Sequence, residues 1–166
     1  NPPLPGGGSH RNAIPLYDFA NQRVINHLVR EAPLRTSSLR SLGAHANVFA
    51  IESFMDELAH AAGADPVEFR LRHLTDPRAR SVIEAVAKKA GWRTREQGDG
   101  TRGRGIAFAR YKNLGCYVSV IVEVSVESQT MVAFVTPRGV VMSPAGAATV
   151  CAPKRKQTLA GRSVST

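Results

Sequence analysis

Residues 128–166 contain no aspartate or glutamate. All 13 acidic residues lie upstream, whereas five of the 22 Lys/Arg fall in this last segment, so the net charge of +9 is unevenly placed. A basic segment attracts nucleic acid or acidic surfaces. Aromatic residues are scarce at 6%, and the clusters "TREQGDGTRGR" and "PKRKQ" have none interleaved. That absence argues against stacking on bases and favours solvated loops. A small basic nucleic-acid-binding module is the alternative reading; the preferred one has no nucleic-acid partner. Cysteine is limited to Cys116 and Cys151, too few and too far apart for a disulfide framework or a zinc site. The five histidines show no HxxxH or HExxH spacing, so no metal ligands are assigned. No apolar run approaches the ~20 residues that span a bilayer. The opening "NPPLPGGGSHRN" lacks an apolar h-region and an initiator methionine, and reads as a cut end rather than a secretory signal.

What is present is a chain of 166 residues, 43% hydrophobic, enough for one modest domain or a piece of a larger one. "VINHLV", residues 24–29, is rich in branched apolar residues and reads as a strand. A first helix is expected from Asn47 to Ala62, with Val48, Ile51, Met55, Leu58 and Ala62 on its apolar face and Gly63 ending it. Glu52, Asp56 and Glu57 fall away from that stripe and read as surface charge. "DPVEFRLRHL" supplies Asp65 as N-cap, Pro66 in the first turn and Glu68 at the capping-box position. "DPRARSVIEAVAKKAGW" repeats the device with Asp76 and Pro77, and Gly91 stops the helix.

Strand signals follow. "CYVSVIVEVSVE" alternates Cys116, Val118, Val120, Val122, Val124 and Val126 with Tyr117, Ser119, Ile121, Glu123, Ser125 and Glu127. Period two with one apolar face predicts a sheet covered on the valine side. Residues 105–111 are its expected antiparallel partner across "KNLG". "GRGIAF" lacks the preceding strand and following helix of a dinucleotide fingerprint, so its glycines are assigned to a turn. After Glu127 the pattern decays. "MVAFV" is expected to add one strand, with order ending near Pro137, since proline lacks the N–H that a central strand donates.

The residues with the most to say are "LRTSSLRSLG", residues 34–43. A loop of hydroxyls and arginines entering a helix N-terminus combines side-chain donors, backbone N–H groups and the positive end of the helix dipole. It suits an anion or a multiply hydrogen-bonding polar ligand. The competing reading pairs Arg35 and Arg40 with carboxylates elsewhere, and composition alone leaves the two even. No nucleophile–base pair is picked out anywhere.

"YDFANQRV", "SLRSLGAHANVFAIESFMDELAHAAGADPVEFRLRHL", "DPRARSVIEAVAKKAGW" and "GRGIAFARYKNLGCYVSVIVEV" together resemble the molybdenum hydroxylase family, over about residues 10–127. More narrowly they are similar to the molybdopterin-binding large subunit of xanthine dehydrogenase/aldehyde oxidase-type enzymes, in the bacterial branch with nicotinate and isoquinoline dehydrogenases. The resemblance implies an α+β fold: three tandem helices plus an antiparallel strand pair, part of a larger molybdopterin-binding domain. Residues 1–127 would form that partial domain, and 128–166 a non-matching basic tail, poorly ordered. By position in the family's R-x-x-G motif, Arg40, Ser41 and Gly43 would contact the molybdenum cofactor and Leu42 would line the substrate pocket. The family's glycine-rich cofactor loops and catalytic glutamate have no counterpart here, so no residue is assigned a catalytic role. The implied cofactors are molybdopterin, as its cytosine dinucleotide, and a [2Fe–2S] cluster in a partner subunit. The implied partners are that iron–sulfur small subunit, a cytochrome c or FAD subunit, and a small aldehyde or N-heterocycle substrate. The compartment would be cytoplasm or periplasm.

Overall fold

The computed structural model describes residues 8–27, 29, 31, 33, 40–93, 98, 100–111 and 115–127, with side chains through residue 126, and the backbone of 132–143, 149–151 and 157–159. Helices α1 (Ala44–Ala61), α2 (Pro66–Arg72) and α3 (Pro77–Lys89) precede strands β1 (Arg102–Tyr111), β2 (Gly115–Glu127), β3 (Val132–Ser143), β4 (Thr149–Cys151) and β5 (Gln157–Leu159). The architecture is α+β, as expected. Among the described residues no helix is long and apolar enough to cross a membrane.

Local chemistry sets the helix ends. Asp65 Oδ1 accepts from Val67 N at 2.8 Å and Glu68 N at 3.1 Å, and Asp76 Oδ1 accepts from Arg78 N at 2.9 Å and Ala79 N at 3.4 Å. Each cap satisfies N–H groups that the first turn leaves without partners, and each is followed by a proline, which has no N–H to satisfy. Gly63 and Gly91 take φ of +62° and +60°. Their successors donate back, Ala64 N to Ala59 O and Trp92 N to Ala87 O, both 2.9 Å, closing Schellman-type ends.

The sheet order is β1-β2-β3-β4, with β5 also on β3, and all its pairings are antiparallel. Ile106 faces Ile121 and Phe108 faces Ser119. The core forms where the helices cover this sheet: Met55 and Ala59 of α1, Val67 and Phe69 of α2, Val82, Ile83 and Val86 of α3, and Ile106, Phe108, Tyr117 and Ile121 of the strands.

Four expectations are corrected. First, residues 24–27 form no strand, and Val24 and Ile25 are exposed; branched composition could not supply the pairing partner a strand needs. Second, the helix-covered face of β2 is Tyr117, Ser119 and Ile121, all buried, while Val118, Val120, Val122 and Val124 are half-buried on the other side. The polar atoms of the covered face find partners: Tyr117 Oη donates to Asp76 Oδ2 at 2.7 Å and Ser119 Oγ to Ala107 O at 3.0 Å. Third, β3 runs past Pro137 to Ser143. Ile121 pairs with Gly139 and Val122 with Pro137, so Arg138 is an extra residue, and a bulge is where a sheet tolerates proline. Fourth, α1 buries Ala44, Glu52, Met55 and Ala59, a face rotated from the one read in sequence. Glu52 is therefore interior, not surface charge.

Candidate functional site

Of the polar loop, residues 34–39, Arg35 included, lie outside the described residues; Arg40 to Gly43 are described. They form the turn that enters α1. Ser41 and Leu42 both take positive φ, +69° and +52°, which costs a non-glycine residue on the order of 1–2 kcal/mol. The turn is held from the N-terminal side. Gly43 N donates to Gly8 O at 3.0 Å, and Asn47 Nδ2 donates to Ser9 O at 2.7 Å and Arg11 O at 2.9 Å. A Cβ on Gly43 would meet Gly8 O at 2.5 Å and Ser9 O closer still. The close backbone approach that glycine permits here is thus toward the 8–9 turn. Leu42 is half-buried beside Gly8, where its side chain would be the first thing an added Cβ met.

Arg40 and Ser41 are exposed. Behind them α1 begins at Ala44, with Gly43 as an N-cap that has no side chain to offer, and with no acidic residue in the first turn. Gly43 N and Ala44 N already donate to Gly8 O and Ser41 O, both at 3.0 Å, so what this helix start contributes is the positive end of its dipole, about half a charge. An exposed guanidinium, a hydroxyl and that helix end form a donor set suited to a phosphate-bearing group, and the pterin cofactor implied by the resemblance is one. The turn therefore brings Arg40 and Ser41 together on the solvent side. Leu42 and Gly43 turn toward the chain's own N-terminal segment.

A second cluster lies along α1. Glu52 Oε1 accepts from Tyr17 Oη at 2.8 Å, and Oε2 accepts from Arg70 Nε at 3.0 Å and from Phe108 N at 2.9 Å. Arg70 is fully buried. Its NH1 donates to Asp56 Oδ1 at 2.7 Å and Pro66 O at 3.1 Å, and its NH2 to Glu52 O at 3.0 Å. Burial pushes the Glu52 carboxyl above its ordinary range, against the pull of Arg70, Tyr17 and the Phe108 N–H. Burial also opposes the charge on Arg70, but Glu52, Tyr17 and Asp56 outweigh it and hold the guanidinium protonated. Tyr17 is raised by burial first and by the neighbouring Glu52 charge second. The buried donor atoms here all find partners within the protein, so the cluster ties the N-terminal segment, α1, α2 and β1 together. Asp56, 44% exposed, is its solvent-facing end.

Sequence reasoning missed this cluster, though a signal was there. Glu52 lies four residues after Val48 and three before Met55, which is inside a helical stripe rather than beside it.

A third cluster surrounds Asp76. Besides capping α3, it accepts from Tyr117 Oη and pairs with Arg110 NH1 at 3.5 Å. The Arg78 and Arg110 guanidinium groups lie 5.0 and 4.9 Å from the Tyr117 ring centre. Burial tends to raise the Asp76 carboxyl, but the hydrogen bonds from Tyr117, Arg78 N and Ala79 N and the charge of Arg110 bring it below its ordinary value.

Residues 6–74 match the molybdopterin cofactor-binding domain family. This span contains the 40–43 turn, the 8–12 segment that holds it, and the Glu52–Arg70 pair. The chain is 49% identical over 110 residues to a nicotinate dehydrogenase subunit of Pseudomonas putida, which covers 61% of this chain and 9% of that protein. It is 36% identical over 110 residues to the beta subunit of isoquinoline 1-oxidoreductase from Brevundimonas diminuta, covering 65% of this chain and 14% of that protein. The chain thus spans about a tenth of the length of these relatives.

Proposed function

We propose that this chain is part of a molybdopterin-binding oxidoreductase subunit of the molybdenum hydroxylase type, a reading its matched domain and two relatives support, and that the 40–43 turn holds the cofactor against the start of α1. The reading rests on one coincidence: the matched domain contains an exposed Arg40 and Ser41 at a helix N-terminus without a side-chain cap. Arg40 supplies a charge-assisted donor to an anionic oxygen, and Ser41 a hydroxyl beside it. Gly43 fixes the turn by docking on the 8–9 backbone, and Leu42 contributes apolar surface at the edge of the substrate space. When bound, the molybdenum cofactor, in its cytosine dinucleotide form, supplies the oxygen-transfer and electron-accepting chemistry. The parent reaction is hydroxylation of an aldehyde or N-heterocycle with oxygen from water. A [2Fe–2S] cluster in a partner small subunit, with a cytochrome c or FAD subunit beyond it, would supply the route for the electrons. The names of the two relatives, a nicotinate and an isoquinoline enzyme, support an N-heterocycle. The chain alone is read as inactive, since the glycine-rich cofactor loops and catalytic glutamate that the resemblance implies have no counterpart in its sequence.

The test is made in an intact subunit carrying this stretch, with bound pterin assayed by its oxidised fluorescence. Arg40→Ala is expected to lower pterin content and turnover, losing roughly 1.5–3 kcal/mol from a charge-assisted contact. Arg35→Ala, away from the motif position, should cost under about 1 kcal/mol. Equal losses from the two would remove the reason for assigning the cofactor to Arg40.

A further inference from the structure

Helix α1 has apolar surface on more than its buried face. Ile51, Phe54 and Leu58 flank that face, and opposite them runs the N-terminal segment with Phe19, Val24 and Ile25. Together they line an open groove of about 760 Å³. Phe54 is 56% exposed, Ile25 54% and Val24 46%. A continuous apolar groove of this kind marks an interaction surface rather than ordinary exterior.

The occupant can be argued from the groove's chemistry. A pocket for a small polar ligand carries convergent donors and acceptors. Here Asn47 already donates to Ser9 O and Arg11 O, and Gln22 to Tyr17 O. Asn21 and Arg23 add polar groups on the N-terminal-segment side, and the other lining residues are aliphatic or aromatic. Every residue lining it falls between Ala13 and Phe69, inside the matched cofactor-binding domain. The relatives extend far beyond the part this chain covers, 9% and 14% of their lengths. The geometry points to an apolar polypeptide segment of the same subunit, from outside this chain, packed into the groove between α1 and residues 19–25. This rests on the chain being part of a molybdopterin-binding subunit. It adds where the rest of that subunit docks: on the helix whose N-terminus carries the cofactor turn.

The test uses the intact subunit carrying this stretch, with a single reporter cysteine at Phe54→Cys or, as control, at the exposed Glu57→Cys. Maleimide labelling of the native subunit should be at least tenfold slower at Phe54→Cys than at Glu57→Cys, and equal after denaturation. Equal native rates would overturn the proposal by showing the groove open. Protection lost on dilution would overturn it in favour of a second copy. Protection appearing only when a heteroaromatic such as nicotinate is added would overturn it in favour of a ligand site. In a second variant, Phe54→Asp should lower the intact subunit's melting temperature by several degrees; no change would count against a packed segment. Pterin content measured on the same samples separates the two readings. Protection at Phe54→Cys in a subunit that holds no pterin would sink the cofactor assignment and leave the docking surface standing.

Discussion

Replacing Glu52 by alanine is predicted to be far more damaging than replacing Glu57, five residues along the same helix. Glu52 is buried, and Glu57 is exposed. Truncation leaves the Tyr17 hydroxyl and the Phe108 N–H without their acceptor, and removes Arg70's partner at Nε. Each neutral donor left unsatisfied costs about 1–3 kcal/mol. Removing one member of a buried ion pair costs about 3–5 kcal/mol. These overlap rather than add, and Arg70 retains Asp56, Pro66 O and the Glu52 backbone carbonyl, so the figure for the broken pair is taken for the whole: about 3–5 kcal/mol for Glu52→Ala. Glu57→Ala should fall within about 0.5 kcal/mol of the parent. On a chain of this size, 3 kcal/mol lowers Tm by on the order of 10 °C. The pair itself has a smaller net worth, because burial opposes both charges. The double replacement Glu52→Leu with Arg70→Met should therefore be markedly less harmful than the sum of its single variants. Urea unfolding of these variants beside the parent, with m-values compared, decides it. Indistinguishable midpoints for Glu52→Ala and Glu57→Ala would refute the buried-pair argument.

Two further outcomes follow from the same geometry. Gly43→Ala should lower stability by about 1–3 kcal/mol through forced contact with the 8–9 backbone, more than Gly91→Ala, where only φ is strained and nothing lies within 4 Å; thermal melts that reverse this order would contradict the docking of that turn. Because the folded Asp76 carboxyl is depressed, the folded state binds fewer protons there than the unfolded chain, so its contribution is complete above the unfolded value of about 3.9 and is lost as pH falls through the folded one. Asp76→Asn should flatten the acid limb of the Tm–pH curve below about pH 4, and parallel curves for parent and variant would show that Asp76 carries none of that slope.

How much of this was legible depended on whether the deciding interaction is local. The Asp65–Pro66 and Asp76–Pro77 starts and the Gly63 and Gly91 ends were readable, because a cap needs only its own turn. The β1–β2 pairing was readable from alternation across a short connection. The covered face of β2 was not. Counting apolar residues selects the valines, but the helices cover Tyr117, Ser119 and Ile121. That choice is made by Asp76, 41 residues from Tyr117, and by the carbonyl of Ala107 across the ladder. Glu52 was misread for the same reason: its charge argues for solvent until Arg70, 18 residues on, is known to be its neighbour. At the candidate site, the motif located Arg40 and Gly43 but not what Gly43 approaches, since Gly8 and Ser9 are distant in sequence.

The 40–43 turn and the buried pair hold α1 in different ways, and the difference bears on how the candidate site is positioned. The Glu52–Arg70 cluster fastens the middle of α1 to α2 and β1 through charged and hydrogen-bonded groups. The start of α1 is fixed by neutral contacts with a surface turn: Gly43 N to Gly8 O, and the Asn47 amide to two carbonyls. Protein interiors transmit strain because they are close-packed, but the 40–43 turn lies outside the core. Its placement depends on residues 8–12 more directly than on the helix behind it. Ser41 and Leu42, both at positive φ, are kept there by that external clamp, since strained backbone persists only where its surroundings determine it. The N-terminal segment is accordingly part of the candidate site, although none of its residues belongs to the motif that revealed it.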